Sequence, residues 1–312
     1  MFGEILKEVR ERNNLTQKDL ALKLANANEE FRQLDLVTIS RWERGTTAPN
    51  NAKAIRVLRS LNEDLSLFLK YLAQSQLVSS RSLDEFVYER FHSNILQSTL
   101  AAFNLNVPQE DEVIEHDKVF LQVNDAMLIK IRDYHSRFNQ DRLALFSLDL
   151  YLYQEENKLH GYRFYYASEP ENILGYSMAF FFNQEVLENQ IRDNGCDIDM
   201  RNSSSYKKSE PMSLLWASGI VTSSALFRYN WTQQIKFLAR HSNITHLYAN
   251  VIIESMVPFL TDIGFEIVSA KNQVEKGGIK IGRRRYERCL MKIDTSVLLT
   301  SKEALSLVQR SF

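Results

Sequence analysis

Residues 38–49 read TISRWERGTTAP, and this stretch decides the fold of the N-terminal part of the chain. Ile39 and Trp42 stand three positions apart, so on a helix they lie on one side and leave the opposite side open. Gly45 follows, and glycine readily takes the left-handed conformation in which helices commonly end. The pattern predicts a short helix with one buried face and one exposed face.

The neighbouring segments predict three more short helices. The segment TQKDLA at 16–21 places Thr16 as an N-cap, with Asp19 three residues later as its partner in a capping box. Asn13 and Asn14 separate this helix from the one before it. Apolar residues repeat at helical spacing on the inward faces of all three: Phe2, Leu6 and Val9, then Leu20 and Leu24, then Ile55, Leu58 and Leu61.

The segments TQKDLA and TISRWERGTTAP resemble the phage-repressor and Cro-like helix-turn-helix family, also called XRE, over about sixty residues. The resemblance implies double-stranded DNA as a partner. In such domains one short helix crosses the phosphate backbone, and the next lies in the major groove with its N-terminal side chains at base edges. Because operators of these domains are usually two-fold, the resemblance also implies a homodimer.

The positions of individual side chains give each a predicted role at DNA. Arg41 is expected to read guanine, because its planar fork can pair bidentately with O6 and N7. Leu36 and Val37 offer only apolar contact, for instance to thymine methyl groups, and Trp42, Glu43 and Gly45 are assigned to structure. The predicted DNA-binding residues are Gln17, Leu36, Val37, Thr38, Ser40, Arg41, Arg44, Thr46 and Asn50. Of these, Gln17, Arg44, Thr46 and Asn50 are expected at phosphates, which fix register without reading sequence.

One segment departs from the family pattern. Between Leu24 and Ile39 the chain is about eight residues longer than the usual tight turn, with NANEEFRQLD inserted at 26–35. Either the second helix is extended or a loop replaces the turn.

The distribution of charge is more informative than the net charge of -1. Residues 1–61 hold eleven Lys and Arg against eight Asp and Glu, and residues 41–59 hold five against one. That segment is suited to phosphate. A second basic run at 271–288 is either a solvated hairpin tip, an extra DNA contact or an acyl-coenzyme A phosphate site.

Composition limits the class of protein. The 312 residues are 44% hydrophobic, which is typical of folded globular chains. No apolar run of eighteen residues occurs, and the charged first residues lack the pattern of a signal peptide, so we expect a cytoplasmic protein with no membrane partner. Cys196 and Cys289 are far apart and have no metal-ligand spacing, so no metal site is predicted.

The rest of the chain predicts a second, mixed α/β domain, which makes the protein multidomain. We place the all-α helix-turn-helix domain at 1–62, a helical and dimerising connector at 63–106, and the α/β domain at 107–312, with an acidic linker or loop at 107–117. The predicted elements follow in order: a hairpin of strands 146–152 and 160–166, strands 174–182 and 214–224, helix 231–241, strand 246–253, helix 254–262, and strands 264–270 and 285–293.

Residues 248–268, YANVIIESMVPFLTDIGFEIV, resemble the C-terminal half of the GNAT acyltransferase fold. The family holds its cofactor pyrophosphate with a glycine-rich loop, but Gly264 is the only glycine between Val221 and Lys276. Thr261 and Leu260 occupy the places where a catalytic tyrosine is common. No catalytic residue is assigned, and the resemblance implies a ligand-sensing, dimerising or partner-binding domain with acyl-coenzyme A or another small molecule as candidate effector.

These observations predict a sequence-specific transcriptional regulator with a GNAT-like second domain. The alternative is an acyl-coenzyme A-dependent N-acyltransferase that carries a DNA-binding domain, and the missing glycine loop argues against it. A third reading is a protein-interaction module of a phage or toxin-related system.

Overall fold

The computed structural model describes residues 1–75, 80–91, 113–138, 145 and 147–311. The chain forms two compact units. The first consists of Met1–Ser79, Thr232–Thr245 and Asp294–Phe312, and the second of Ser80–Trp231 and His246–Ile293. The domain boundaries at 62 and 106 stay predictions.

The first unit is helical. Its helices are α1 (Phe2–Arg12), α2 (Gln17–Ala27), α3 (Leu36–Glu43), α4 (Asn51–Ser60), α5 (Ser66–Ser75), α12 (Thr295–Thr300) and α13 (Lys302–Ser311). The last two, which the sequence analysis did not predict, pack against α4 and α5, respectively. Asp294 caps α12 by accepting a hydrogen bond from the backbone nitrogen of Ser296 at 2.6 Å. The unit is thus assembled from segments far apart in sequence.

Arg59 joins α4 to Thr232–Thr245, another segment of the first unit. Its side chain is buried, and its guanidinium donates to the carbonyl oxygens of Leu238 at 3.1 Å and His241 at 3.4 Å, and to that of Ile244. The first two carbonyls lie at the C-terminal end of helix α10 (Ser224–Arg240), where the helix dipole favours a cation. Arg59 belongs to the segment 41–59 that the sequence predicted to suit phosphate, but its guanidinium has a structural role.

The second unit is built on one eight-stranded sheet. Its described strands are β1 (Ile114–Lys118), β2 (Leu159–Tyr166), β3 (Glu169–Asn183), β4 (Met212–Val221), β5 (Ile244–Val251), β6 (Glu266–Val274), β7 (Ile279–Ile281) and β8 (Arg284–Asp294). They follow the spatial order β1-β2-β3-β4-β5-β8-β6, and β7 also pairs with β8. Strands β1 to β4 are antiparallel neighbours, so the chain meanders through this half of the sheet.

The described helices of this unit are α6 (Arg81–Phe91), α7 (Ala126–Phe138), α8 (Leu150–Glu155), α9 (Gln184–Asn194), the beginning of α10, and α11 (Met256–Ile263). Helix α8 packs against β2, and α9 packs against β3 and β4. The central strand β3 is buried along most of its length, as its apolar run LGYSMAFFF predicts. Its side chains form the core with those of β2 and β4. The fold class, an all-α N-terminal domain followed by a mixed α/β domain, is confirmed.

The predicted strand at 146–152 is wrong. Residues 150–155 form helix α8, which begins where the Asp149 side chain accepts a hydrogen bond from the backbone nitrogen of Leu152 at 3.0 Å. The alternation of apolar and polar residues suggested a strand, but the N-cap at Asp149 starts a helix in its place. The hairpin is formed by β2 and β3.

The predicted acidic linker at 107–117 is wrong over its last residues, because 114–118 form β1 and pair with β2. Residues 107–112, residue 146 and the end of the predicted connector at 92–106 lie outside the described residues. Among the described helices, none combines the length and the apolar character needed to span a membrane. The cellular location stays a prediction.

Candidate nucleic-acid interface

Helix α2 begins at the predicted capping box. The backbone nitrogen of Asp19 donates to Thr16 Oγ1 at 3.1 Å, and the backbone nitrogen of Thr16 donates to Asp19 Oδ2 at 3.0 Å. The hydrogen bonds from Thr16 lower the pKa of the Asp19 carboxyl, so this carboxylate stays ionised at the positive end of the helix. Leu20 and Leu24 fill the inward face, as predicted.

The inserted segment is a folded connection. Helix α2 runs to Ala27, and Asn28 then caps a single 3₁₀ turn at Glu29–Phe31 by accepting a hydrogen bond from the backbone nitrogen of Glu30 at 2.9 Å. The Phe31 side chain is fully buried and anchors the turn. Of the two predicted alternatives, both apply: α2 is extended, and a longer connection with a 3₁₀ turn replaces the tight turn between α2 and α3.

Helix α3 has the predicted buried face. Ile39 is fully buried and Trp42 is 5% exposed, with the Trp42 ring edge-on to Phe2 of α1 at 5.9 Å between centroids. Gly3 lets α1 cross closely, because a Cβ at this position would lie 1.9 Å from the Trp42 carbonyl oxygen. The helix ends before Gly45, whose φ of 68° is left-handed.

The start of α3 is fixed by the insertion. Asp35 is its N-cap, and its Oδ1 accepts a hydrogen bond from the backbone nitrogen of Thr38 at 2.7 Å. Hydrogen bonds from the Thr38 side chain and from its backbone nitrogen lower the pKa of the Asp35 carboxyl. Asp35 was not among the predicted caps, although an Asp three residues before a polar helix position is a recognisable cap signal.

Glu43 at the end of α3 connects three helices. Its carboxylate accepts hydrogen bonds from Arg10 Nε at 2.6 Å and Nη2 at 3.1 Å, and from Gln17 Nε2 at 2.8 Å. Burial raises the pKa of Glu43, but the hydrogen bonds from Arg10 and Gln17 outweigh it and the pKa lies below its usual range. The bidentate pair holds α3 against α1 and α2.

The exposed face of α3 is apolar at its N-terminal end. Leu36 is 47% and Val37 is 53% exposed, while Arg41 is exposed one turn further along and Ser40 is half-buried between them. Thr38 is half-buried and lies towards the buried side of the helix. Val37, Ser40 and Arg41 therefore face away from Ile39 and Trp42, where a duplex groove has access to them.

The predicted phosphate-contact residues also have structural partners. Gln17 gives its amide nitrogen to Glu43, and Thr46 donates its hydroxyl to the Arg41 carbonyl at 3.1 Å. Asn50 caps α4 by accepting a hydrogen bond from the backbone nitrogen of Lys53 at 2.8 Å. Arg44 donates Nε to the Ser40 carbonyl at 3.2 Å and remains exposed. Their phosphate contacts stay predictions.

Residues 6–68 match a family model described as helix-turn-helix. The match covers about a fifth of the chain and includes every predicted DNA-binding residue, which confirms the resemblance stated for the N-terminal segments. The matched segment ends within α5, and the predicted domain boundary at 62 stays a prediction.

The basic segment of the helix-turn-helix domain presents fewer cations than its composition suggests. Arg59 is buried among carbonyls, and Arg56 is paired with Glu30 at 3.0 Å and Asp294 at 3.5 Å. Lys53 is half-buried, with Nζ 5.9 Å from the centroid of the Trp42 ring. Arg41 and Arg44 are exposed, so the exposed cations of residues 41–59 lie at α3 and the turn after it. The exposed apolar residues Leu36 and Val37 lie on the same helix.

In the second unit, the side chains of the connection between β4 and α10 have local hydrogen-bond partners. Thr222 donates its hydroxyl to the Leu174 carbonyl at 2.8 Å, and the Ser223 hydroxyl accepts from the backbone nitrogen of Leu226 at 3.1 Å. Arg228, near the start of α10, is paired with Asp84 at 2.6 Å. These side chains serve local structure.

The solved structures similar to the chain include acetyltransferases. One is NAA60 of Arabidopsis thaliana in complex with acetyl-CoA, at 12% identity and a TM-score of 0.37, covering 58% of this chain and 98% of that one. Another is a probable acetyltransferase from Staphylococcus epidermidis ATCC 12228, at 12% identity and a TM-score of 0.36, covering 59% and 99%. With TM-scores below 0.5, they carry no argument about what this chain does. No curated protein matches the chain.

Proposed function

We propose that the protein is a transcriptional regulator that binds specific double-stranded DNA sequences through α3. The observation that supports this most strongly is the two-sided character of α3 inside a matched helix-turn-helix segment. Ile39 and Trp42 fix the helix from behind, and Val37 and Arg41 lie on the opposite side. A helix held in this way can place its outward side chains at base edges of the major groove.

Two arginines have different proposed roles at the DNA. Arg41 reads a guanine through its bidentate fork, and Arg44 binds phosphate beyond the helix end. The two roles are separable by experiment, because loss of a base contact relaxes sequence preference, whereas loss of a phosphate contact weakens binding to all sequences and changes the salt dependence.

The test begins with selection of bound sequences from a random DNA pool by the full-length protein. On the selected site, Arg41→Ala should cost about 1–3 kcal/mol and relax preference at one base pair. Arg44→Ala should weaken binding to all DNA sequences alike, and it should reduce the magnitude of the slope of log affinity against log salt concentration by about one. Arg192→Ala, an exposed arginine on α9, is the charge-matched control and should change neither. Failure to enrich any sequence, or equal enrichment by the Arg41→Ala protein, contradicts the proposal.

We propose further that the protein binds as a homodimer and that the second unit senses a small molecule, dimerises or binds a partner. The dimer follows from the two-fold symmetry of operators read by such domains. Selected sites should then be inverted repeats with half-sites about one helical turn apart. Single half-sites bound by one chain in sedimentation experiments would contradict the dimer.

The alternative, an acyltransferase with a DNA-binding domain, has less support. The β4–α10 connection at 222–223 contains no glycine, and Arg228 is engaged by Asp84. Calorimetry with acetyl-coenzyme A and longer acyl derivatives separates the two, since binding with turnover favours the enzyme and absence of binding excludes it.

A further inference from the structure

The second unit contains a cavity of about 460 Å³. Ala217 of β4, Asn250 of β5 and Arg288 of β8 contribute to its lining, so three strands of the sheet meet there. The remaining walls come from Leu145, Ser147 and Leu148 and from the segment 196–201 that follows α9. This volume is within the range of small-molecule sites, which are concave and have a few convergent polar groups.

Two buried polar atoms of the lining have no hydrogen-bond partner among the described residues. They are Oδ1 of Asn250, an acceptor, and Nε of Arg288, a donor. Buried polar atoms are nearly always hydrogen-bonded, because leaving one unpaired costs free energy. A ligand that supplies one N–H donor and one carbonyl acceptor would satisfy both atoms.

The two acidic and two basic side chains of the lining form ion pairs. Arg288 Nη2 lies 2.5 Å from Asp197 Oδ1, which also pairs with Lys271 at 3.0 Å. Arg201 pairs with Asp199 at 2.7 Å. Since both acidic and both basic groups of the lining are matched, the cavity favours an uncharged ligand over a phosphorylated one.

The other lining side chains suit a hydrocarbon group. Leu145, Leu148, Ile198 and Met200 line the same cavity, and methionine adapts its shape to the group that it contacts. We propose that the cavity binds an uncharged small molecule with a secondary amide and an apolar chain. The amide N–H donates to Asn250 Oδ1, and its carbonyl accepts from Arg288 Nε. A role for this ligand as an effector rests on the proposed function, but its binding does not.

The proposal is tested by calorimetry of the full-length protein with N-octylacetamide and with octyl acetate, the ester that keeps the carbonyl and lacks the N–H. The amide should bind about tenfold more tightly than the ester, since only the amide satisfies Asn250. Asn250→Leu should abolish this difference without weakening the ester. Asn194→Leu, an exposed asparagine at the end of α9, is the matched control and should leave both affinities unchanged.

Arg288→Met provides a second variant in case Asn250→Leu does not fold, and it should weaken the amide and the ester about equally. Circular dichroism and thermal unfolding establish that each variant is folded. Equal binding of amide and ester, binding of neither, or a difference that persists in the Asn250→Leu protein overturns the proposal. DNA affinity measured with and without the amide is a separate test. An affinity that the amide does not change removes only the effector role, and absence of sequence-specific DNA binding both with and without the amide removes only the proposed function.

Discussion

Replacement of Glu43 by glutamine tests the structural basis of the proposed DNA-binding face. The side chain of Glu43 is 4% exposed and that of Arg10 is 14% exposed, so the substitution leaves a nearly buried guanidinium without its counter-ion. Loss of one partner of a buried pair costs about 3–5 kcal/mol. Arg10 also donates to the Leu15 carbonyl at 3.1 Å and lies 3.4 Å from Glu11, which compensates in part. We therefore expect the free energy of unfolding to fall by about 2–3 kcal/mol.

The assay is urea unfolding followed by circular dichroism, because urea does not screen charge. Glu8→Gln, an exposed position on α1, is the matched control and should stay within about 0.5 kcal/mol of the parent. The double variant Arg10→Met with Glu43→Leu removes both charges and should recover most of the loss. If Glu43→Gln and Glu8→Gln unfold at the same urea concentration, the carboxylate does not hold α3 in place and the reasoning fails.

The same pair has a pH dependence. Because the folded-state pKa of Glu43 is lowered, its ionisation stabilises the fold above the unfolded-state pKa of about 4.3. This stabilisation is lost as the pH falls from about 4.3 through the lower folded-state pKa. The parent should therefore lose more stability than Glu43→Gln between pH 5 and pH 3. If the free energy of unfolding falls equally with pH in the two proteins, Glu43 does not have a lowered pKa in the folded state.

Three further predictions concern other parts of the first unit. Phe31→Ala should reduce the free energy of unfolding by about 3–5 kcal/mol, measured by urea unfolding, because the buried ring anchors the insertion. Replacement of thymine by uracil at bases facing Val37 should weaken binding by about fourfold per methyl group in a mobility-shift assay, from about 0.8 kcal/mol per buried methyl. The Val37→Ser protein should not distinguish the two bases. Arg59→Met should cost about 1–3 kcal/mol for each carbonyl that becomes unsatisfied, and a thermal unfolding midpoint equal to that of the parent would contradict its structural role.

Sequence reasoning predicted the helix-turn-helix domain because its signals are local. The Thr16 cap, the spacing of Ile39 and Trp42 and the glycine at 45 each act within a few residues. The inward and outward faces of α3 follow from helical spacing alone. The same local logic failed at 146–152, where alternation indicated a strand but Asp149 starts a helix.

The long-range features were beyond sequence reasoning. Arg10 and Glu43 are 33 residues apart, and Arg59 binds carbonyls about 180 residues away. No local pattern distinguishes a buried arginine from one that binds phosphate, so Arg59 was counted with the surface cations. The orphaned atoms of Asn250 and Arg288 belong to different strands, and only the folded sheet brings them to one cavity.

The presence of Asp294–Phe312 in the first unit has a consequence for biosynthesis. A ribosome releases α1 to α5 long before it makes the helices that pack against α4 and α5. During translation, the apolar surface of α4 and α5 stays uncovered until α12 and α13 are made, and it is accessible to chaperones and proteases until then. A chain cut short near residue 290 would keep every side chain proposed to read DNA and would lack the helices that pack against α4 and α5, so nonsense mutations in the codons for residues 290–294 should be as damaging as those in the codons for α1.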